Sequence, residues 1–236
     1  MKQSDEPVEQ GLARLKASLL SRFDVGELLA RNPTAHKWKA TFRSLLLREA
    51  VFWRLHDLLE QSYALHEQTH ILGARILLRS AVETLAILVY LNQLTERVVN
   101  GGLNFHTFSD KTATLLLGSR NESTRYTSLN INTILSQCAK RYDFIGKFYA
   151  DLSECAHPNH EGLIMGYSKP DRENLIENFS NRWVSLYGNS HEHWMRLVIF
   201  MFDQEYNVVW EREFTKLEDW LVAHDAELEA TKSDPR

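Results

Sequence analysis

Two histidines and one glutamate have a spacing that suits a zinc enzyme. His66 and His70 are four residues apart, and Glu67 directly follows the first. On one helix this spacing places both imidazoles on the same face, where they hold zinc while the glutamate polarises a bound water. The sequence therefore leaves open a zinc-dependent hydrolase that uses His66 and His70 as metal ligands. Histidines on the solvent-facing surface of a polar helix are the alternative interpretation.

A second group of charged residues follows at helical spacing in the same stretch. Arg75, Arg79 and Glu83 are each four residues from the next, so they form one stripe on a helix. The side chains around the stripe are mostly apolar, which makes simple solvent exposure a poor explanation. Two interpretations stay open: a buried structural ion pair between Arg79 and Glu83, and a polar site that lines a cleft between helices.

A third group ends a later helical segment. It consists of Ser153, Glu154, His157, Asn159 and His160, with Pro158 and Gly162 between and after them. Histidine is the usual general acid or base near neutral pH, so His157 is the candidate for proton transfer. The alternative is that these residues form a helix cap and that Pro158 and Gly162 only shape the turn. By contrast, His191-Glu192-His193 is expected at a solvated helix start.

The apolar spacing predicts the helices that position these groups. Hydrophobic residues recur at steps of three and four, which predicts one helix over 64–99 and another over 131–156. We expect these two helices to pack together, so that Arg79 and Glu83 face Ser153, Glu154 and His157. The stretch 161–181 is short, apolar and turn-like. The predicted fold is an all-α helical bundle with a short non-helical or β-hairpin insertion near 161–181.

Domain organisation and compartment follow from length and composition. The 236 residues are expected to form an N-terminal helical arm over 1–33 and one helical-bundle domain over 34–236. The net charge of −4 excludes a strongly basic nucleic-acid footprint but allows a local basic patch. We expect a cytoplasmic protein with no membrane association, because the two cysteines are sparse and neither a signal peptide nor an apolar span is visible. The common nucleotide-binding and hydrolase glycine motifs are absent.

Two of these stretches together resemble a known family. The first is Ala74-Arg75-x-x-x-Arg79-Ser80-x-x-Glu83-Thr84, and the second is Tyr149-x-x-Leu152-Ser153-Glu154-x-x-His157-Pro158-Asn159. In order and spacing they look like the motifs of uncharacterised bacterial all-helical proteins near the HEPN superfamily. The resemblance covers about residues 40–165. The chain departs from the usual signature of the superfamily, because no arginine stands four to six residues before His157.

The resemblance implies a function and a set of partners. Active members of that superfamily are metal-independent ribonucleases of toxin–antitoxin and phage-defence systems. It therefore implies a ribonuclease or nucleotide-directed enzyme that needs no cofactor, with an RNA or nucleotide ligand, a homodimer and an antitoxin-like protein as partners. His157 would be the acid or base, Arg79 and Glu83 the other catalytic residues, and Arg75, Ser153, Glu154, Asn159 and His160 binding residues. A non-catalytic ligand-binding or regulatory module is the alternative.

Overall fold

The chain folds into helices joined by turns and loops, with one small hairpin. The computed structural model describes residues 6–232, of which most are helical. Ten α-helices occur in this part of the chain: α1 (Val8–Ser18), α2 (Val25–Arg31), α3 (Pro33–His36), α4 (Lys39–Glu67), α5 (Ile71–Val99), α6 (Phe105–Leu117), α7 (Ile131–Cys138), α8 (Ile145–Ala156), α9 (Trp183–Asp203) and α10 (Trp210–Ala230). Two π-helical turns, His160–Met165 and Gln204–Val209, precede the hairpin and α10.

The hairpin confirms the predicted insertion. Strands β1 (Ser168–Asp171) and β2 (Ile176–Phe179) pair in antiparallel register, with Ser168 opposite Phe179 and Asp171 opposite Ile176. The side chain of Asp171 accepts a hydrogen bond from the backbone N–H of Asn174 at 3.1 Å, which closes the turn between the strands. The all-α class with a hairpin inside 161–181 is therefore confirmed.

The chain divides into two compact units. The first contains the residues up to Ser18 together with Trp53–Leu85 and Cys138–Met201. The second contains Leu19–Phe52, Ala86–Gln137 and the residues from Phe202 onward. The predicted arm over 1–33 and domain over 34–236 remain predictions, and residues 1–5 and 233–236 lie outside the described part. Within residues 6–232, no helix is long and apolar enough to cross a membrane.

The first unit has an apolar core in which α5, α8 and α9 meet. Ile71, Cys155 and Trp183 form one buried cluster, and the half-buried Leu72 and Tyr187 pack against it. Helix α8 buries one side chain per turn, through Ile145, Phe148, Leu152 and Cys155. This spacing puts one apolar stripe toward the core and leaves the polar residues between them at the edge of the stripe.

The second unit holds a partly buried arginine beside two aromatic rings. The Arg48 guanidinium lies between the rings of Tyr206 and Trp210, 3.5 Å and 4.2 Å from their centroids. The Tyr206 hydroxyl donates to the Glu49 carboxylate at 2.9 Å. Burial and the neighbouring Glu49 raise the pKa of Tyr206 above the ordinary value for tyrosine. These contacts explain how Arg48 is accommodated inside the unit, since its charge has both a carboxylate and aromatic faces beside it.

The predicted uninterrupted helix over 64–99 is wrong, because a turn separates α4 from α5. Thr69 has a left-handed backbone, with φ of 60°. The His70 N–H donates to the Leu65 carbonyl at 2.8 Å, and the Thr69 N–H donates to the His66 carbonyl at 2.8 Å. These two hydrogen bonds define a Schellman C-cap. The cap was missed because glycine or asparagine normally occupies the left-handed position, and this chain has threonine there.

The predicted helix over 131–156 is also interrupted. It consists of α7 and α8, with residues 139–144 forming turns between them. In this connection the Cys138 carbonyl accepts hydrogen bonds from the N–H groups of Arg141 and Tyr142, at 2.9 Å and 3.0 Å. No glycine or proline marks the break in the sequence. The polar residues predicted for the later half of this segment therefore all belong to α8 and to the turn that follows it.

Candidate functional site

Helices α5 and α8 bring together four polar side chains in the first unit, and we call them the Arg79 cluster: Arg79, Glu83, Tyr149 and Ser153. Arg79 Nε donates to Ser153 Oγ at 2.9 Å, and Arg79 Nη2 donates to the Tyr149 hydroxyl at 2.5 Å. The Tyr149 hydroxyl in turn donates to Glu83 Oε1 at 2.6 Å. Arg79 Nη2 and Glu83 Oε1 are 3.2 Å apart. The guanidinium is therefore fixed from two helices.

The Arg79 cluster is half-buried and its charges are balanced. The side chains of Arg79 and Glu83 keep 26% and 27% of their accessible surface. Burial, followed by the hydrogen bond to Glu83, raises the pKa of the Tyr149 phenol above its ordinary value. Tyr149 is thus a neutral hydroxyl near neutral pH, and it can accept from the arginine and donate to the glutamate at the same time.

Arg79 uses only part of its hydrogen-bonding capacity within residues 6–232. Its Nε and Nη2 are engaged in the Arg79 cluster, whereas Nη1 forms no hydrogen bond to any of the residues 6–232. Since the side chain is partly exposed, Nη1 can donate to a ligand from solvent. A guanidinium that is already oriented loses less conformational entropy when it binds an anion.

Arg75 lies deeper and has a different environment. It is 3% exposed, and its Nε donates to Cys155 Sγ at 3.1 Å. Its Nη2 donates to the Asp151 carbonyl at 3.3 Å, and its guanidinium lies 4.0 Å from the centroid of the Tyr187 ring. No carboxylate pairs with Arg75 among the described residues, so a sulfur, a carbonyl and an aromatic face stabilise this buried charge. The proposed binding role of Arg75 remains a prediction.

The turn after α8 is held by Asn159. The Asn159 Nδ2 donates to the Glu154 carboxylate, and Asn159 Oδ1 accepts from the Gly162 N–H at 3.0 Å. A Cβ at Gly162 would lie 2.0 Å from the His157 carbonyl oxygen, so only glycine allows the chain to pass this close. Two of the predicted binding residues, Glu154 and Asn159, therefore fix the shape of the turn that carries His157.

His157 lies one helical turn beyond the Arg79 cluster. It is the C-cap of α8, with an extended backbone, and its side chain is exposed. In the described part of the chain, its imidazole forms no hydrogen bond with Arg79 or Glu83. His157 follows Ser153 by four residues, which corresponds to about 6 Å along a helix axis. His160 is also exposed and begins the π-helical turn.

The two histidines of the predicted zinc motif do not share a helix. His66 is in the last turn of α4, and His70 directly precedes α5. His66 Nε2 lies 3.1 Å from the Gly188 carbonyl oxygen. The metal-ligating atoms of His66, Glu67 and Glu192 lie within 4.8 Å of one another, and His70 is not part of this group. The zinc-binding geometry expected for two histidines on one helical face is therefore not observed.

Sequence reasoning missed one buried histidine near His66. His191 was expected to be solvated, but it lies inside α9 and is fully buried. Its ring stacks on the His66 ring, with centroids 5.2 Å apart, and its Nε2 lies 3.0 Å from Ser62 Oγ. Burial, with smaller contributions from the neighbouring His66 and Arg75, lowers the pKa of His191 to about 3. In the sequence, His191 lies one helical turn from apolar residues of α9, and this spacing is the signal that could have indicated its burial.

Sequence reasoning also gave Tyr149 no role of its own. Tyr149 is four residues before Ser153, which places both side chains on the same face of α8. That spacing was visible in the sequence, but the acceptor and donor bonds of its hydroxyl depend on the neighbouring helix α5.

Comparison of the chain with models of protein families, with curated proteins and with solved structures gives no match.

Proposed function

We propose that the chain acts on phosphodiesters, as a metal-independent ribonuclease or nucleotide-directed enzyme of the kind that the HEPN-like motifs imply. The observation that carries the proposal is Arg79, whose guanidinium is held by three side chains and still has Nη1 available. A pre-oriented guanidinium suits the two oxygens of a phosphate. The exposed His157, one helical turn away, supplies the general acid or base.

The proposed reaction needs only these two groups. The imidazole of His157 accepts the proton of an RNA 2′-hydroxyl while the 2′-oxygen attacks phosphorus. Arg79 Nη1 donates to the phosphoryl oxygens, whose negative charge grows in the transition state. The bond from phosphorus to the 5′-oxygen breaks, that oxygen takes a proton from water, and the hydroxide so formed takes the proton from the His157 imidazolium. The products are a 2′,3′-cyclic phosphate and a free 5′-hydroxyl.

RNA cleavage in the presence of EDTA tests this proposal. We expect His157→Ala to reduce the rate about 10²–10⁴-fold, the usual contribution of a general acid or base. His193→Ala is the matched control, because His193 is also an exposed histidine but lies on α9. Equal rates for wild type and His157→Ala would overturn the ribonuclease proposal.

A non-catalytic binding or regulatory module is the second candidate. Glu83 already compensates the charge of Arg79, and His157 has no hydrogen bond to either residue in the described chain. In that case the Arg79 cluster fixes α8 beside α5, and Arg79→Ala lowers the melting temperature without any activity being lost. Measurement of cleavage and melting on the same Arg79→Ala sample separates the two candidates. The homodimer and the antitoxin-like partner remain predictions from the resemblance.

A further inference from the structure

The tautomer of His66 follows from its hydrogen bond. The Gly188 carbonyl oxygen only accepts, so His66 Nε2, at 3.1 Å, must carry a proton and donate to it. The other ring nitrogen, Nδ1, is buried and has no hydrogen-bond partner in the described part of the chain. Nδ1 instead faces Glu67 Oε1 at 3.4 Å. Two lone-pair acceptors at this distance repel each other unless a proton or a metal cation lies between them.

The ring of His66 is held in this orientation from two sides. Its Nε2 bonds to the backbone of α9 at Gly188, and its face stacks on the buried His191 ring at an interplanar angle of 19°. His191 is itself fixed by Ser62, whose hydroxyl donates to the Ala74 carbonyl at 2.8 Å. A histidine that binds a metal through one nitrogen and donates its other N–H to a backbone carbonyl is the usual arrangement at metal sites.

Glu192 completes a set of three donors. The donor atoms of His66, Glu67 and Glu192 lie within 4.8 Å of one another. Zinc binds nitrogen and oxygen at about 2.0–2.2 Å, so two donors of a tetrahedral zinc are about 3.4 Å apart. The distance between His66 Nδ1 and Glu67 Oε1 has this value. The Glu192 side chain is 41% exposed and, within residues 6–232, forms an ion pair only with Arg196 in the same helix, so it can turn to close the remaining distance.

We propose that His66 Nδ1, Glu67 and Glu192 bind one divalent transition-metal ion, which joins the end of α4 to α9 within the first unit. Imidazole together with carboxylates suits zinc and its first-row neighbours better than magnesium. Water fills the fourth position, since three protein donors are available. This site shares no residue with the Arg79 cluster and does not depend on the proposed reaction.

Calorimetric titration of the metal-stripped full chain with Zn²⁺ tests this site. We expect one saturable equivalent for wild type, and an affinity at least about tenfold weaker for His66→Gln and for Glu192→Gln. His70→Gln is the matched control, because this histidine is exposed and lies only four residues further along the chain, and it should bind like wild type. Millimolar Mg²⁺ should not compete.

A second measurement keeps the proposal testable if His66→Gln does not fold. Zn²⁺ should raise the melting temperature of wild type and of His70→Gln, because a ligand that binds only the folded chain stabilises it. It should not raise the melting temperature of Glu192→Gln, which changes a half-exposed carboxylate and leaves the core intact. Absence of stoichiometric zinc binding by wild type, or undiminished binding by Glu192→Gln, would overturn the proposal.

Discussion

Removal of the Tyr149 hydroxyl probes the Arg79 cluster with the smallest change in shape. Tyr149→Phe deletes one oxygen that accepts from Arg79 at 2.5 Å and donates to Glu83 at 2.6 Å. Hydrogen bonds to charged groups contribute about 1.5–3 kcal/mol each. The loss should be smaller than the sum of two such bonds, because Arg79 and Glu83 keep their own contact at 3.2 Å and neither charge becomes isolated. We expect a decrease in unfolding free energy of about 1–2 kcal/mol.

Denaturant unfolding monitored by circular dichroism measures this loss. Tyr126→Phe is the matched control, because the Tyr126 hydroxyl also accepts from an arginine, Arg125, but in an exposed position. Exposed contacts of this kind contribute less than about 0.5 kcal/mol. In a double-mutant cycle with Arg79→Ala, the double variant should lose less unfolding free energy than the two single variants lose together, because Arg79 and Tyr149 contact each other. If Tyr149→Phe is as stable as Tyr126→Phe, the reasoning about the Arg79 cluster is refuted.

Three further predictions concern the turns and the pH dependence. Thr69→Gly should stabilise the chain by about 1 kcal/mol in thermal unfolding, because a β-branched residue is strained in the left-handed region; no gain would contradict the Schellman cap. Gly162→Ala should destabilise by about 1–3 kcal/mol, since its Cβ would collide with the His157 carbonyl, whereas Gly146→Ala meets no atom within 4 Å and should be tolerated. The folded chain raises the pKa of Tyr149, so the neutral phenol contributes fully to the free energy of unfolding below pH ~10. This contribution is lost as pH rises through the pKa of Tyr149 in the folded chain. Tyr149→Phe should weaken that alkaline dependence in pH-dependent unfolding; an unchanged dependence would contradict it.

The sequence predicted the helical class and the meeting of α5 with α8 correctly. The four-residue steps between Arg75, Arg79 and Glu83 define one helical stripe, and the structure places Arg79 against Ser153 as expected. Periodicity is informative here because both helices are amphipathic and strongly regular. It could not specify whether His157 contacts Arg79, since His157 is a C-cap whose side-chain direction depends on the turn that Asn159 and Gly162 form.

The break between α4 and α5 was not predictable from local signals. Helix ends are recognised by glycine or asparagine at the left-handed position, and Thr69 gives neither signal. The burial of His191 was missed for a related reason, because polar residues at a helix surface are usually solvated. The neighbouring His66 and Ser62 provide its environment through tertiary contacts between segments far apart in sequence. The apolar residues one turn away in α9 indicate that this face of the helix is buried, but they do not indicate which residues His191 contacts.

Cleavage of one RNA and of its 2′-deoxy analogue, side by side in EDTA, tests the central claim most directly. The proposed reaction uses the 2′-hydroxyl as nucleophile and His157 as base. Wild type should therefore cleave the RNA but not the 2′-deoxy analogue, and His157→Ala should cleave neither at a comparable rate. Failure of wild type to cleave RNA, or equal cleavage of both substrates, would contradict the account.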